Sequence, residues 1–306
     1  MKKSVLDYTK RFFYLILACC CSFLLGCEGE DETVAAYITI NDFVVESTNP
    51  NQHGSISHKI TNAFVFLVPK DSVQSPHQLG VVTLPATVPA IVSGEFEINI
   101  DPVVKANGSS FSLEVYPFYQ RYKQNVTLVP DQEIEVSPRT SYRPEAKFRL
   151  IENFESSGHL FGADRDGNFA TTLENSTEDV FEGNKSGRVF LDTANNVFVV
   201  ANADLYEINF PEATRVYMEA NYKTDIPLEF GILSVNTLGD ETPAFEFVVL
   251  AKPEWNKIYF DMTNLLNSAP SNLFAFIIRG GLPFENGEFT LKEAEVYFDN
   301  IKVITF

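Results

Sequence analysis

Gly94-Glu95-Phe96-Glu97-Ile98-Asn99-Ile100 alternates polar and apolar residues without a break. Successive side chains of a strand point to opposite faces, so this stretch reads as a strand with one face buried. The same reading extends outward. Strand candidates precede it at 36–45, 61–68 and 79–84, and follow it at 110–119, 125–129 and 133–136. Asn107-Gly108 is a turn signal, and Pro117, Pro130, Pro138 and Pro144 punctuate the later segments. Helical periodicity is sparse: only 101–106 and 262–268 are predicted to form a turn or two each.

A second block opens at Phe148-Arg149-Leu150-Ile151-Glu152. Strand candidates follow at 185–192, 196–201, 206–210, 215–223, 228–236, 244–250, 257–261, 273–279 and 293–303. About seven or eight short strands over 34–147 predict an antiparallel β-sandwich of immunoglobulin or transthyretin type. About nine strands over 148–306 predict a jelly-roll sandwich. The expected fold class is therefore all-β, with two sandwich domains in series.

Phe64-Val65-Phe66-Leu67, the run from Leu79 to Thr87, and Gly94-Glu95-Phe96 resemble the regulatory-type sandwich modules of bacterial surface proteins. That resemblance implies a spacer or docking role. Asn153-Phe154-Glu155, Glu254-Trp255-Asn256-Lys257-Ile258-Tyr259-Phe260-Asp261 and Val296-Tyr297-Phe298-Asp299-Asn300-Ile301-Lys302-Val303 resemble the galactose-binding-like, carbohydrate-binding-module jelly roll. There the Trp-x-Lys and Asp-Asn-Ile strands belong to the scaffold. The resemblance further implies a structural calcium held by Glu155 and Asp299.

Lys2, Lys3, Lys10 and Arg11 precede an apolar run from Phe12 to Leu25, which closes at Leu24-Leu25-Gly26-Cys27. A charged start, a short apolar core and a small residue before a cleavage point are what a signal peptidase needs. At ~14 residues the run is short for a ~30 Å hydrocarbon core. The motif resembles the bacterial lipobox, which implies removal of 1–26 and lipid on Cys27. The acidic run containing Glu28, Glu30, Asp31 and Glu32 resembles the surface-export signal of Bacteroidota lipoproteins, so 27–33 reads as an acidic tether. Together the lipobox and the two blocks resemble an uncharacterised two-domain lipoprotein family of that phylum. The expected address is the outer membrane, lipid-anchored and facing the cell exterior.

Processing changes the chemistry available. Cys19, Cys20 and Cys21 leave with the signal, so no disulfide or cysteine metal knuckle is expected downstream. The net charge of −18 deepens, because 19 basic and 40 acidic residues remain after 1–26 are removed, giving −21. Such a surface repels phosphate backbones, and nucleic acid is excluded as a partner.

His53, His58, His77 and His159 form no metal-ligand spacing, and no nucleophile elbow or phosphate-cradling loop can be written. The chain therefore reads as non-catalytic. Asp164-Arg165-Asp166-Gly167-Asn168 fits either a turn or an incomplete calcium loop. Tyr116, Tyr119, Arg121 and Tyr122 form an aromatic, cationic cluster of the kind found at protein contacts, and are the candidate partner patch. Tyr206, Tyr217, Tyr222, Trp255 and Tyr259 are the rings a sugar face would need. The expected role is a binding or accessory subunit of an outer-membrane protein assembly serving uptake, secretion or biogenesis. The alternative is a glycan-binding surface lipoprotein using the jelly roll. A glycoside hydrolase is less expected, because a carboxylate pair across a cleft leaves no signature among 40 acidic residues.

Overall fold

The structure is a computed structural model, and it describes residues 34–70, 75–108, 111–207 and 215–306. Cys27, Glu28, Glu30, Asp31 and Glu32 lie outside the described residues. No described helix is long and apolar enough to cross a membrane.

The N-terminal half contains β1 (Ala36–Ile40), β2 (Val44–Val45), a one-turn α1 (Pro50–His53), β3 (Asn62–Pro69), β4 (His77–Thr83) and β5 (Ala86–Ala90). It continues with β6 (Gly94–Lys105), β7 (Leu113–Val115), β8 (Tyr122–Leu128), β9 (Glu133–Val136) and β10 (Arg139–Thr140). One sheet runs β4-β3-β6-β7 with β8 also on β6, and a smaller one runs β5-β1-β9. The strand that begins at Gly94 continues to Lys105, so 101–105 is strand, contrary to the helical turn expected over 101–106. Pairing with Asn62–Pro69 along its whole length overrides the local pattern. Two pairings are parallel, β1 with β9 and β2 with β10, so this sandwich is not purely antiparallel. Ile38, Ile40, Val65, Leu67, Ile98 and Ile100 fill its core.

The C-terminal half contains β11 (Lys147–Glu152), β12 (Ala163–Asp164), β13 (Glu174–Ser176), β14 (Ser186–Asp192), β15 (Val197–Ala201) and β16 (Tyr206–Glu207). Then come β17 (Val216–Thr224), β18 (Leu228–Val235), β19 (Glu241–Val249), β20 (Lys252–Asp261) and α2 (Thr263–Asn267). The chain ends with β21 (Leu273–Gly281), β22 (Phe284–Glu285), β23 (Glu288–Phe289) and the long β24 (Glu293–Thr305). One sheet runs β13-β14-β24-β17-β20, joined by β11 on β24; the facing sheet runs β12-β15-β21-β18-β19, with β16 on β21. All pairings in both sheets are antiparallel. Phe230 packs on Phe260 at 4.8 Å and on Phe298 at 6.1 Å between the layers.

Two bulges decide which side chains face that core. On β24, Ala294, Val296 and Phe298 point inward, and so do Ile301 and Val303. Phe298 and Ile301 are three apart, which a period of two forbids, so one residue must be absorbed. The ladder shifts there, with Glu219 opposite Lys302 but Asn221 opposite Asp299, and Asn300 takes φ 49°. Asparagine tolerates that left-handed conformation better than most residues. The second bulge, at Glu246, sends Phe247 into the core and Phe245 to the outer face.

Candidate functional site

The outer face of the β14-β24-β17-β20 sheet is covered by the N-terminal sandwich. Strand alternation puts Tyr217 and Glu219 of β17, Lys257 and Tyr259 of β20, and Lys302 and Ile304 of β24 on that face. All six are buried. Against them sit Tyr116, Phe118, Tyr119 and Tyr142, with Tyr116 5.3 Å from Tyr217 and 5.0 Å from Tyr259 ring to ring. Tyr116 and Tyr119 are therefore spent inside the molecule. The proposed partner patch is corrected accordingly: apolar burial closed it against the chain's own second half. Arg121 instead makes a bidentate ion pair with Asp101, at 2.7 and 2.8 Å, and Tyr122 is half-buried with its hydroxyl on Gln124.

Glu219 is the centre of this interface, and none of its surface reaches solvent. Its carboxylate accepts from Tyr116 Oη at 2.6 Å and Tyr142 Oη at 2.9 Å, and pairs with Lys257 Nζ at 2.8 Å. Burial pushes the Glu219 carboxyl up, but Lys257, Lys302 and the tyrosine donor outweigh it and hold the group below its ordinary value. Lys302 donates to the Ser55 carbonyl and lies 3.4 Å from Tyr142 Oη. Burial and the neighbouring Lys257 lower its pKa to about 7, with Glu219 opposing the shift. Further bonds fix the two halves: Asn107 N–H to the Tyr259 carbonyl at 2.7 Å, Lys59 N–H to Tyr259 Oη at 2.9 Å, and Asn221 Nδ2 to Ser57 Oγ at 2.9 Å. This centre is structural, because its charged groups are buried and turned to one another.

On the outer face of the opposite sheet, half-exposed charged side chains lie over a buried apolar floor. Its floor is the small apolar cluster Ala201, Leu233, Ala275 and Ile277. Over it, the Arg279 guanidinium lies 4.0 Å from the Phe245 ring centre and pairs with Glu229 at 2.7 Å. Arg165 reaches across to Glu241 with bonds of 2.9 and 3.1 Å. Beside Arg279 a groove of about 610 Å³ is lined by Val197, Pro227, Glu229, Val248, Gly281 and Pro283. The face offers a planar cation, carboxylates and apolar walls, while its one described ring lies under Arg279. A row of stacked sugar-binding rings is not what it presents.

Glu155 and Asp299 are both drawn to segment 182–185. Glu155 accepts from the Asn184 and Lys185 amides at 2.7 and 2.9 Å and from Asn184 Nδ2 at 3.1 Å. Asp299 accepts from the Glu182 and Asn300 amides at 3.0 and 2.8 Å. Burial raises Asp299 to about 7, with nearby Glu182 and Glu155 adding to the rise. Five N–H donors thus supply the partial positive charge that a hard cation would bring. Among the described residues no three histidine, cysteine or acidic side chains converge to hold a metal. The observed work of the pair is to anchor the 182–185 segment. Asp164-Arg165-Asp166-Gly167-Asn168 is a turn, with Asp164 Oδ1 accepting from Asp166 and Gly167 amides.

Trp255 donates Nε1–H to Asp179 at 2.6 Å and packs near Phe181 and Tyr297, a scaffold role. Tyr217, Tyr222 and Tyr259 are buried and Tyr206 is half-buried, so none forms an open platform. Among the described residues, no histidine is hydrogen-bonded to a hydroxyl or carboxylate side chain; His159 meets the Leu173 carbonyl at 3.0 Å. The reading of the sequence passed over Glu219 and Phe245, because alternation marks both faces of a strand without saying what covers them.

No protein-family model matches the chain, and no curated protein matches it. Similar solved structures are carbohydrate-binding modules aligned with about half of the chain. The CBM22-1 xylan-binding domain of Paenibacillus barcinonensis Xyn10C is 14% identical, over 52% of this chain and 95% of that one, with a TM-score of 0.36. A family 30 carbohydrate-binding module is 14% identical over 51% and 87%, with a TM-score of 0.39. The C-terminal family 22 module of Clostridium thermocellum Xyn10B is 12% identical over 51% and 91%, at 0.33. TM-scores this low carry no argument about what this chain binds.

Proposed function

We propose that this chain is a non-catalytic surface lipoprotein, anchored through Cys27, that binds a glycan on the outer face of the β15-β21-β18-β19 sheet. The observation that carries the reading is the division of the two outer faces. One is sealed by the N-terminal sandwich around Glu219; on the other, the half-exposed Arg279–Glu229 pair stands at the edge of a groove. A guanidinium held flat on Phe245 donates in a fixed plane, and the paired carboxylate accepts, which together match neighbouring sugar hydroxyls. Pro227, Val248 and Pro283 supply apolar contact for the C–H faces of a ring. The accessory-subunit reading loses ground, because Tyr116 and Tyr119, two rings of the patch expected to meet a partner, are buried within the chain. The N-terminal sandwich then acts as a rigid spacer between membrane and glycan site.

Cells producing the chain, spread on immobilised plant and microbial polysaccharides, test this directly. They are expected to adhere to a subset of the polysaccharides. Cells producing Arg279→Ala/Glu229→Ala are expected to lose adhesion at least about tenfold, and cells producing Cys27→Ala are expected not to adhere. Adhesion unchanged by the groove pair, or no retention on any polysaccharide, would overturn the glycan site.

A further inference from the structure

Between the two halves, and sharing only Val248 with the groove beside Arg279, lies a second cavity of about 420 Å³. The N-terminal sandwich supplies Lys59, Lys105 and Asn107 to it; the C-terminal one supplies Lys252, Asn256 and Tyr222. Lys257 also touches it, with its ammonium turned to Glu219. Four lysines and no carboxylate line this space, in a chain whose net charge is −18. Among the described residues, Lys59, Lys105 and Lys252 make no ion pair.

An acidic protein ordinarily intersperses its lysines with carboxylates, because unpaired like charges repel. Here they converge instead. Partial burial, and then the nearness of Lys252 and Lys105, lower the Lys59 ammonium below its ordinary pKa. The wall is also built rather than fortuitous. Lys59 Nζ donates to Asn256 Oδ1, whose Nδ2 donates to Tyr222 Oη at 2.9 Å. The Asn107 amide is tied to the Tyr259 carbonyl, and a Cβ on Gly108, at φ 69°, would come within 3.0 Å of Ile258. These contacts hold the lysine-bearing edges of both halves in one geometry, so the charge is preorganised before any ligand arrives.

We propose that this interdomain cavity binds a small oxyanion-bearing ligand, a sugar acid or a sulfated or phosphorylated sugar of one or two rings. Lys59, Lys105 and Lys252 would pair with its carboxylate, sulfate or phosphate oxygens. Asn107 and Asn256 would bond its hydroxyls, and Val248 and Leu250 would face its ring. The volume suits a ligand of that size. The site needs both halves of the chain, which gives the rigid interface around Glu219 a role beyond stability.

Isothermal titration of the full chain in neutral detergent at low ionic strength tests this, with glucuronate, glucose 6-sulfate, glucose 6-phosphate, inorganic phosphate and glucose as probes. Saturable binding of at least one sugar-linked oxyanion, with glucose silent, is the expected result. Lys105→Gln/Lys252→Gln changes a half-buried and an exposed lysine of the cavity and is expected to weaken binding by about tenfold, as is raising salt from ~0.02 M to ~0.5 M. Lys59→Gln is the second variant, with circular dichroism confirming the fold of each. The Arg279→Ala/Glu229→Ala groove variant is expected to bind the oxyanion as the parent does, so the two sites succeed or fail separately. Inorganic phosphate binding as tightly as every sugar-linked probe would overturn the sugar ligand. No saturable oxyanion binding, or binding unchanged in both lysine variants, would overturn the site.

Discussion

Lys302 stands opposite Glu219 in the ladder between β24 and β17, on a face that local alternation would leave to solvent. Three charged groups, Glu219, Lys257 and Lys302, are buried there together, so two cations share one carboxylate. Taking an ion out of water costs several kcal/mol unless it is paired, and the unmatched lysine yields its proton most readily. His53, Tyr142 and the more distant Glu182 complete its surroundings, and the His53 imidazole is itself lowered by burial and by Lys302. The sign follows. An unfolded Lys302 keeps its proton up to about pH 10, whereas the folded one releases it near 7. Unfolding therefore takes up a proton between those values, and stability rises with pH across that window. Urea unfolding of the parent and of Lys302→Met is expected to diverge, the parent gaining about 2 kcal/mol relative to the variant from pH ~7 to ~9. Parallel curves would show that Lys302 stays charged in the fold. Above pH 10 the trend reverses, since burial raises Tyr116, Tyr119 and Tyr142 well above their ordinary values and the unfolded phenols ionise first.

At the scale of elements, the two bulges set what each face can do. Strand positions were legible in sequence: the alternation at Gly94–Ile100 and the apolar run of β24 both became strands. The bulges were not. Ala294, Val296, Phe298, Ile301 and Val303 all belong inside, yet only a left-handed Asn300 lets the two sets share a face. A residue pattern shows that a phase slip is needed but not which residue takes it up. Asn300→Val is expected to cost about 1–3 kcal/mol, since a β-branched residue resists positive φ, while Asn300→Gly stays within about 1 kcal/mol of the parent. Chemical denaturation of both separates backbone strain from the bond that Asn300 Nδ2 makes to Glu182 Oε2 at 3.1 Å. Equal losses in the two variants would assign the effect to that side-chain bond. The Glu246 bulge likewise turned Phe245 outward beneath Arg279, which a strict period of two, with Phe247 inside, would have buried.

For the whole molecule, the interface joins two sandwiches into one unit. Rings of both halves interlock, Phe118 with Phe306 at 4.6 Å and Tyr116 with Tyr217 and Tyr259, around the Glu219 centre. Calorimetry is expected to show one unfolding transition for the parent. Glu219→Ala leaves Lys257 and Lys302 buried without their counter-charge, a loss of about 3–5 kcal/mol, and is expected to split that transition into two. Two transitions already present in the parent would mean that the halves unfold independently despite the contact. By itself the sequence determined the all-β class and most strands, because alternation and apolar content are local and hydrophobic burial follows them directly. It also marked the aromatic cluster around Tyr116 as unusual, while Glu155 and Asp299 were singled out only by the jelly-roll resemblance. Only the tertiary structure decided what those groups meet. Docking one sandwich on the other buried Tyr116 and Tyr119, sealed Glu219 and its two lysines from water, and brought Lys59 and Lys105 beside Lys252. Such contacts join residues tens to hundreds of positions apart, and the polar side of a strand carries no mark of whether water or another domain will cover it.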